Sequence, residues 1–384
     1  MKLNIVRAYA GSPKYDMLLS SLSAIFAGRG IELVAEPGNA DCRLVVGGDA
    51  CSMLRNMEGA KKICPVVRMI FRSDIGRNFA VDESVVDFTF IIRDLDINIL
   101  CPYRQTTMEV DVPFVLDCPG QEEECESDIY VNTGEFLYPD SALFKILRTL
   151  NRLTRYKIEV CTRNTNLNDI VNPNITLSDA SGSIEERVRR SRIVIGSGYA
   201  VLYALRHRKP FIVVGERGYG GMPKEVNILP FYHSFFQGSI GGRLDGALPE
   251  NLVYEDVANI FANGFDTAPL VEKLSGCISG INAAIADKLK SLACGYGKTD
   301  VADLQFNNDY TIIEGNGIYW LLNRFTRCIV ARLDADYMAV IRHFYNNKGG
   351  SAGFTEKEQT TINDLLKNKV LIKREKSHPS ANIK

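Results

Sequence analysis

Short runs of aliphatic and β-branched residues alternate along the chain with segments whose apolar residues recur at helical spacing. Lys2–Arg7 predicts a buried strand, and Tyr15–Phe26 predicts a helix that ends at Gly28 and Gly30. Further strands are predicted at Ile31–Ala35, Asp41–Val46, Val66–Phe71 and Phe88–Ile92. This alternation predicts a Rossmann-like α/β domain over residues 1–120.

An acidic run at residues 121–128 follows, and we interpret it as an exposed linker because adjacent carboxylates repel one another. The alternation then resumes, with strands predicted at Asp128–Val131, Lys157–Cys161, Ile175–Leu177, Arg192–Ile195 and Phe211–Val214. Helices are predicted at Ser141–Thr154, Ile184–Ser191, Tyr254–Ala262 and Pro269–Leu292. The pattern predicts a second Rossmann-like domain over residues 128–292.

Residues 191–221 predict a strand, a glycine turn, a helix, a second strand and a glycine-rich loop. Gly196, Ser197 and Gly198 form the first turn, which two parallel strands and their connecting helix place at the carboxyl edge of the sheet. Open α/β sheets bind ligands at that edge. Glycine lets backbone N–H groups approach a phosphate, and the helix start favours negative charge. An ordinary βαβ unit without such a ligand is the alternative.

This stretch resembles the donor-binding half of glycosyltransferases with two Rossmann-like domains, the GT-B type. The matching residues are Val194, Gly196, Ser197, Gly198, Val201, Leu202, Ala204, Leu205, Pro210 and Val213. The family's helix often carries a glutamate that hydrogen-bonds the nucleotide ribose, and Tyr203 stands at that position here. The resemblance implies a nucleotide-sugar donor between the domains, with its diphosphate on the glycine turns of the second.

The resemblance also implies that Thr133 and Gly134, which follow the first strand of the second domain, face the donor phosphates. Arg163, just past the next strand, is a candidate for bidentate contact with a diphosphate, and a solvated loop arginine is the alternative. Glu216 is a candidate for the donor hydroxyls or for the ribose, and a loop glutamate without a ligand is the alternative. The predicted donor-binding residues are thus Thr133, Gly134, Arg163, Gly196, Ser197, Gly198 and Glu216.

The sequence does not identify the catalytic base. His233, within the aromatic run Phe231–Phe236, is one candidate, and Asp74 is another by residue type only. A histidine in an aromatic run is also common as a packed residue, and that interpretation stays open.

The character of the chain changes over residues 305–376. Strands are predicted at Asp309–Glu314, Gly317–Asn323 and Thr326–Leu333. Helices follow, one from Asp334 to about Phe344 and one that begins with a capping box of Thr355 and Glu358. Strands followed by helices in so short a segment predict a small winged-helix-like α+β module.

The segment Tyr319–Leu333 resembles the PqqD-like peptide-recognition module. The matching residues are Leu321, Leu322, Asn323, Thr326, Leu333 and Asp334. The resemblance implies that a leader peptide binds as an extra strand, as it does for enzymes that modify ribosomal peptides. A DNA-binding winged helix and a structural or dimer-forming domain are the alternatives.

Composition narrows these possibilities. The chain has 384 residues and a formal net charge of −1, so it has no general electrostatic attraction to nucleic acid or to an acidic membrane. Its ten cysteines show no metal-type spacing and favour a reducing cytoplasm. No signal peptide or membrane span is predicted. We interpret the D-x-D motif of the first domain, Asp94 to Asp96, as a surface turn and predict no metal site.

The leading hypothesis is a metal-independent glycosyltransferase with no cofactor, for which a nucleotide sugar is co-substrate and the acceptor is a peptide or a natural product. A second hypothesis is a catalytically degenerate scaffold that binds a ribosomal peptide. A third is a sugar-nucleotide epimerase, although only four histidines are present to serve such a cleft.

Overall fold

The structure is a computed structural model. It describes residues 1–9, 12–47, 64–74, 86–94, 107–117, 124–132, 146–162, 171–179, 182–215, 217–238, 250–295, 304–307, 309–315, 318–324, 329–345, 355–368 and 370–373. The chain divides into two compact units. Unit 1 comprises Met1–Asp82 with Phe88–Ser291, and unit 2 comprises Glu83–Asp87 with Leu292–Lys384.

Unit 1 begins with a parallel sheet. Its strands are β1 Lys2–Arg7, β2 Glu32–Leu33, β3 Cys42–Val46, β4 Val66–Phe71, β5 Phe88–Ile92 and β6 Thr107–Val110. They lie in the order β2-β1-β3-β4-β5-β6, with helix α1 (Pro13–Gly28) between β1 and β2. Strands β3, β4 and β5 are buried throughout, including the polar residues Arg43, Arg68 and Thr89. Their otherwise apolar sequences are typical of a parallel sheet covered on both faces.

Helix α1 shows why this part of the chain folds as it does. Its apolar residues Leu18, Leu22, Ile25 and Phe26 recur at helical spacing and are all buried. Each such side chain stabilises the fold by roughly 1.5–3 kcal/mol relative to an exposed one. Packing of this face therefore holds α1 in place.

A second sheet follows in the same unit. Its strands are β7 Ser127–Asn132, β8 Ile158–Cys161, β9 Ile175–Ser178, β10 Ser191–Gly196, β11 Phe211–Gly215 and β12 Gly218–Gly221. The order is β12-β11-β10-β7-β8-β9. The helices are α2 Ile184–Arg189, α3 Gly198–Arg206, α4 Ile228–His233, α5 Glu250–Asn263 and α6 Ala268–Gly295, and residues 146–150 are also helical. These two sheets confirm the predicted α/β class with Rossmann-like parallel sheets.

The glycine-rich stretch after β11 differs from the predicted loop. Gly218–Gly221 forms β12, which pairs antiparallel with β11 and closes that edge of the sheet. Glycine has little intrinsic preference for strands, so the sequence gives no signal for this element. The hydrogen bonds that the neighbouring strand β11 offers decide the conformation.

The described residues of unit 2 form two small antiparallel sheets and two helices. Strands β13 (Leu304–Phe306) and β17 (Leu371–Lys373) pair, and β14 (Tyr310–Gly315), β15 (Ile318–Asn323) and β16 (Ile329–Leu333) form a three-stranded sheet. The helices are α7 Ala335–Tyr345 and α8 Glu356–Lys367. The predicted capping box of α8 is present, with Thr355 and Glu358 exchanging side-chain and backbone hydrogen bonds. The core of the unit includes Leu321, Leu333, Ile341, Phe344 and Ile362.

Candidate functional site

The order in which strands are added to the second sheet reverses between β7 and β10, which are parallel neighbours. From β7 the chain moves outward to β8 and β9, and it then returns to add β10 and β11 on the other side. A crevice outside the carboxyl ends of the strands at such a reversal is the usual ligand site of an open α/β sheet. Here Asn132 and Gly196 end these two strands, and they lie in contact. A Cβ on Gly196 would meet the Asn132 carbonyl oxygen at 3.2 Å, so glycine permits this close approach.

The turn after β10 leads directly into helix α3. Gly198, the first residue of that helix, has a φ of +58°, which side-chain-bearing residues rarely adopt. Ser197 precedes it, is 1% exposed, and its hydroxyl has no hydrogen-bond partner among the described residues. A buried hydroxyl beside a helix N-terminus is chemically suited to hold an anionic oxygen.

A neighbouring turn covers this helix start. The amide of Gly198 donates a hydrogen bond to the Phe235 carbonyl oxygen at 3.1 Å, and the Phe235 ring packs edge-on against Tyr199 with 5.2 Å between ring centroids. Phe235 and Phe236 have φ values of 52° and 54°. Two successive bulky residues in the left-handed region are strained by about 1–3 kcal/mol each, and their buried rings hold them there.

The structure describes only part of the predicted donor set. Gly196, Ser197 and Gly198 lie together at the switch point and are buried. The other four predicted residues, Thr133, Gly134, Arg163 and Glu216, lie outside the described residues. Their neighbours in sequence, Asn132, Thr162 and Gly215, stand at or just past the carboxyl ends of β7, β8 and β11.

Tyr203 stands where the resembled family often has a ribose-binding glutamate. It is 5% exposed, and its ring meets the Phe114 ring at 5.3 Å with an angle of 75° between the planes. Phe114 belongs to the extended segment after β6 and also lies beside Tyr199. At this position α3 therefore packs against the aromatic ring of Phe114, and it presents no carboxylate that could bind a ribose.

A charged cluster lies at the carboxyl edge of the first sheet. Lys14, at the start of α1, pairs with Asp74 at 2.9 Å and with Asp94 at 3.5 Å between Nζ and the Oδ2 atoms. Asp74 follows β4 and Asp94 follows β5, so three segments of the chain converge. Asp94 is 6% exposed, which corrects our interpretation of the D-x-D motif as a surface turn. The lysine and the neighbouring hydroxyl groups supply the partners that a buried carboxylate requires.

Two hydroxyl groups complete this cluster. Tyr15 donates from its hydroxyl to Asp74 Oδ2 at 2.9 Å, and Ser73 donates from its amide to Asp94 Oδ1 at 2.9 Å and from its hydroxyl to Oδ2. Burial raises the pKa of Asp94, and the nearby Lys14 charge opposes that rise. Burial and the Asp74 charge likewise raise the pKa of Tyr15.

His233 lies in a different cluster from Asp74. Its Nδ1 atom is 2.8 Å from Oδ2 of Asp111, the residue that directly follows β6, and Arg93 Nη1 is 3.3 Å from Asp111 Oδ1. The His233 side chain is 42% exposed and that of Asp111 is 11% exposed. The pair thus joins the edge of the first sheet to the helix α4 that follows the second.

Two further hydrogen bonds hold the segment after β6. The Tyr232 hydroxyl donates to the Val112 carbonyl oxygen at 2.6 Å, and the Asn282 side-chain amide donates to the Phe114 carbonyl oxygen at 2.7 Å. Both donors come from helices that follow the second sheet. The position of His233 relative to Asp111 is therefore fixed by several contacts within unit 1.

Two features are absent from the described residues. No helix there is long and apolar enough to cross a membrane. Within the same residues, no group of three or more His, Cys, Asp or Glu side chains could hold a metal ion.

Comparisons with known proteins give structural neighbours only. No family model matches the chain, and no curated protein matches it by sequence. The rhamnosyltransferase SpnG with spinosyn aglycone is 12% identical, covers 76% of this chain and 100% of its own, and has a TM-score of 0.42. The calicheamicin glycosyltransferase CalG4 is 12% identical with coverages of 78% and 99% and a TM-score of 0.37. MurG of Acinetobacter baumannii is 10% identical with coverages of 76% and 99% and a TM-score of 0.35. With TM-scores and identities this low, these likenesses carry no argument about activity.

Proposed function

We propose that this chain is a glycosyltransferase of the GT-B type, which transfers a sugar from a nucleotide-sugar donor to a peptide or natural-product acceptor. The observation that carries the proposal is the switch point of the second sheet, where β7 and β10 end side by side at Asn132 and Gly196. The two turns for which the family resemblance implies diphosphate contacts follow these two strand ends. Parallel sheets of this order bind ligands at this point.

In this proposal the donor diphosphate contacts the turn after β10 and the turn after β7. The contacting residues are Gly196, Ser197, Gly198, Thr133 and Gly134. Arg163 and Glu216 follow β8 and β11, which end at the same edge, and they bind the diphosphate and the sugar or ribose hydroxyls.

Donor binding then requires a change at the start of α3. The Gly198 amide exchanges the Phe235 carbonyl oxygen for a phosphate oxygen. A hydrogen bond to a charged acceptor is about twice as strong as one to a neutral carbonyl, so the exchange is favourable for this one bond.

The proposed chemistry relies on the protein's own groups. Amides at the α3 start and the Ser197 hydroxyl stabilise the charge that develops on the departing diphosphate. A base deprotonates the acceptor hydroxyl, with His233 and Asp74 as the candidates. The nucleotide sugar is a co-substrate, and the proposal includes neither a cofactor nor a metal. We also propose the cytoplasm as the location, because the scatter of the ten cysteines along the sequence is typical of a reducing compartment.

A thermal-shift experiment on the full chain tests the proposal. We expect UDP, GDP or TDP to raise the melting temperature, because a ligand at a hundred times its Kd stabilises the native state by about 2.7 kcal/mol. Gly198→Ala should lose this response, since alanine at a φ of +58° is strained and its methyl group adjoins the bound phosphate. Gly276→Ala, in open space on α6, is the matched control and should keep it. If none of the three nucleotides stabilises the wild-type protein, the proposal is wrong.

A second candidate function is peptide binding by unit 2. Strand β16 lies at the edge of its three-stranded sheet, and Ile329 and Val330 on it are 56% and 55% exposed. An exposed apolar edge strand is suited to pair with an extended peptide. We propose that the partner is a leader peptide. The chain would bind and deliver this peptide either as an active transferase or as a catalytically inactive scaffold of the same fold.

The chain offers a direct probe for this second function. Its single tryptophan, Trp320, lies on β15 and pairs with Arg332 of β16. We expect synthetic leader-type peptides with apolar residues in alternation to change Trp320 fluorescence, and Val330→Lys to abolish the change. Val226→Lys, at an exposed valine of unit 1, is the control. A change that survives Val330→Lys would contradict binding at β16, whereas peptide binding without any nucleotide response favours the scaffold.

A further inference from the structure

We propose that His233 is the general base of the transfer reaction and that Asp111 is its positioning residue. This inference rests on the proposed glycosyltransferase function and decides between the two candidate bases. It depends on three observations, which are the pairing of the imidazole, its place between the two sheet edges, and the different environment of Asp74.

The pairing determines which imidazole nitrogen can accept a proton. His233 Nδ1 and Asp111 Oδ2 are 2.8 Å apart, so the carboxylate accepts a hydrogen bond from Nδ1–H. That bond leaves the lone pair on Nε2, because a neutral imidazole carries one proton. Once Nε2 has taken a proton, the adjacent carboxylate stabilises the imidazolium.

Asp111 is itself held in place. Arg93 Nη1 lies 3.3 Å from Asp111 Oδ1, and Arg93 also lies 3.9 Å from Glu109. Two other titratable groups, Cys277 and Tyr232, interact electrostatically with Asp111. Burial is the larger cause and the Asp111 charge the second cause that raises the pKa of each, so both groups are neutral. The carboxylate therefore has one cationic partner and one imidazole partner among the described residues.

The pair is connected to both sheets of unit 1. Asp111 directly follows β6 at the carboxyl edge of the first sheet. His233 ends α4, two residues before Phe235, whose carbonyl oxygen contacts the Gly198 amide at the start of α3. His233 is thus tied to the first sheet through its side chain and to the proposed diphosphate turn through its backbone.

Asp74 is a poorer base on geometric grounds. Its Oδ2 atom accepts from both Tyr15 and Lys14, and its side chain is 17% exposed against 42% for His233. Proton transfer to Asp74 would break an ion pair with Lys14. The other His–carboxylate pair near α3, His207 with Glu185 at 3.0 Å, is 6% exposed at the histidine and lies beyond the opposite end of the helix.

The acceptor hydroxyl gives its proton to His233 Nε2 as its oxygen forms a bond to the anomeric carbon. The bond from that carbon to the donor phosphate oxygen breaks, and the nucleoside diphosphate leaves with the electron pair. The imidazolium then returns the proton to solvent, and no oxidant or reductant is required.

The test measures nucleoside diphosphate release from UDP-, GDP- and TDP-linked hexoses, with water or added glycerol as acceptor. His233→Gln should lower kcat by about 10²- to 10⁴-fold, the usual share of a general base, with little change in KM. Asp111→Asn, which is nearly isosteric, should lower kcat less. Both variants should keep the melting-temperature response to the nucleoside diphosphate. His207→Gln is the control and should keep wild-type kcat.

Two readouts separate catalysis from a purely structural role. The wild-type rate should fall toward acid pH, and this fall should disappear in His233→Gln. Added imidazole should restore part of the kcat of His233→Gly. Unchanged kcat in His233→Gln, or a lowered kcat with an unchanged pH profile and no imidazole rescue, would overturn the inference and leave the glycosyltransferase proposal intact. If the wild-type protein releases nucleoside diphosphate from none of these donors, both fail together.

Discussion

The carbonyl oxygen of Phe235 accepts a hydrogen bond from the amide of Gly198 at 3.1 Å, and so the chain itself fills the start of helix α3. The turn that provides this carbonyl is strained, with φ values of 52° and 54° at Phe235 and Phe236. A site whose ligand must displace such a turn binds its ligand more weakly than a preformed site, by the free energy of the displacement.

We expect glycine substitutions of the two phenylalanines of this turn to have different effects on nucleotide affinity. Phe235→Gly removes the contact with Tyr199, and Phe236→Gly removes contacts with Phe211 and Tyr232. Both variants should lose roughly 2–4 kcal/mol of stability, because the loss of a buried ring outweighs the relief of strain. Only Phe235→Gly should tighten nucleoside diphosphate binding in calorimetric titration, since its turn is easier to displace from Gly198. Equal affinities in the two variants would contradict the displacement.

We expect alanine substitutions at Gly196 and at Gly276 to have opposite effects on the stability of the protein. Alanine at Gly196 would bring a methyl group to 3.2 Å from the Asn132 carbonyl oxygen, so β7 and β10 must shift apart. We expect a loss of about 1–2 kcal/mol in urea unfolding and weaker nucleotide binding. Alanine at Gly276, in open space within α6, should instead stabilise the protein by about 1 kcal/mol. A stabilised Gly196→Ala variant would show that the two strand ends yield to the methyl group and would contradict this prediction.

We expect the substitution Lys14→Met to lower the stability by an amount that depends on pH. Burial raises the pKa of Asp94 and Lys14 lowers it, so Lys14→Met leaves that pKa higher still. A carboxyl whose pKa is raised by folding contributes stability below its unfolded value of about 3.9, and that contribution is lost as pH rises through the folded pKa. The loss caused by Lys14→Met should thus be smallest in acid and grow to roughly 1–3 kcal/mol at neutral pH.

Urea unfolding at several pH values measures this dependence. The double variant Lys14→Met with Asp94→Asn is the control, because it has no carboxyl at position 94 to titrate. Its deficit should vary much less with pH than that of Lys14→Met alone. A deficit of Lys14→Met that is constant from acid to neutral pH would show that Lys14 does not act through the two carboxylates.

We expect that a single substitution of Tyr203 by the glutamate that the resembled family often has will not create a ribose-binding site. Tyr203→Glu would place an unpaired carboxylate against Phe114 in a position that is 5% exposed. We expect a loss of roughly 3 kcal/mol or more with no gain in nucleotide affinity. Tyr203→Phe keeps the ring contact and should cost about 1 kcal/mol or less. Tighter nucleotide binding by Tyr203→Glu would contradict the packed arrangement of α3.

The parts of the fold that the sequence predicts best are those with predominantly apolar runs. The predicted bounds of β4 and β5 agree with the structure, since both strands are buried throughout and each is followed by an arginine, Arg72 or Arg93. Thr107–Val110 and Leu304–Phe306 gave no such signal, because short edge strands depend on what their partner strands offer. The same dependence explains the glycine-rich strand β12.

The candidate site was less accessible to sequence reasoning. The switch-point turn follows from a local pattern at Gly196–Gly198, whereas the charged clusters depend on long-range contacts. Lys14 and Ser73 are 59 residues apart, and His233 and Asp111 are 122 apart. Asp111 carries no local motif that distinguishes it from other acidic residues. For Asp94 the available signal was a carboxylate two residues past the predicted strand Phe88–Ile92. Asp111 had no such signal, because the strand Thr107–Val110 before it was not predicted.

The most direct test of the central claim follows the backbone amide of Gly198 in protein labelled with ¹⁵N-glycine, during titration with UDP, GDP and TDP. At least one nucleotide should shift this resonance to saturation as the amide leaves the Phe235 carbonyl for a phosphate oxygen, while the Gly276 resonance stays in place. If all three nucleotides leave the Gly198 resonance unmoved at millimolar concentration, the start of α3 does not bind a diphosphate and the proposed function is wrong.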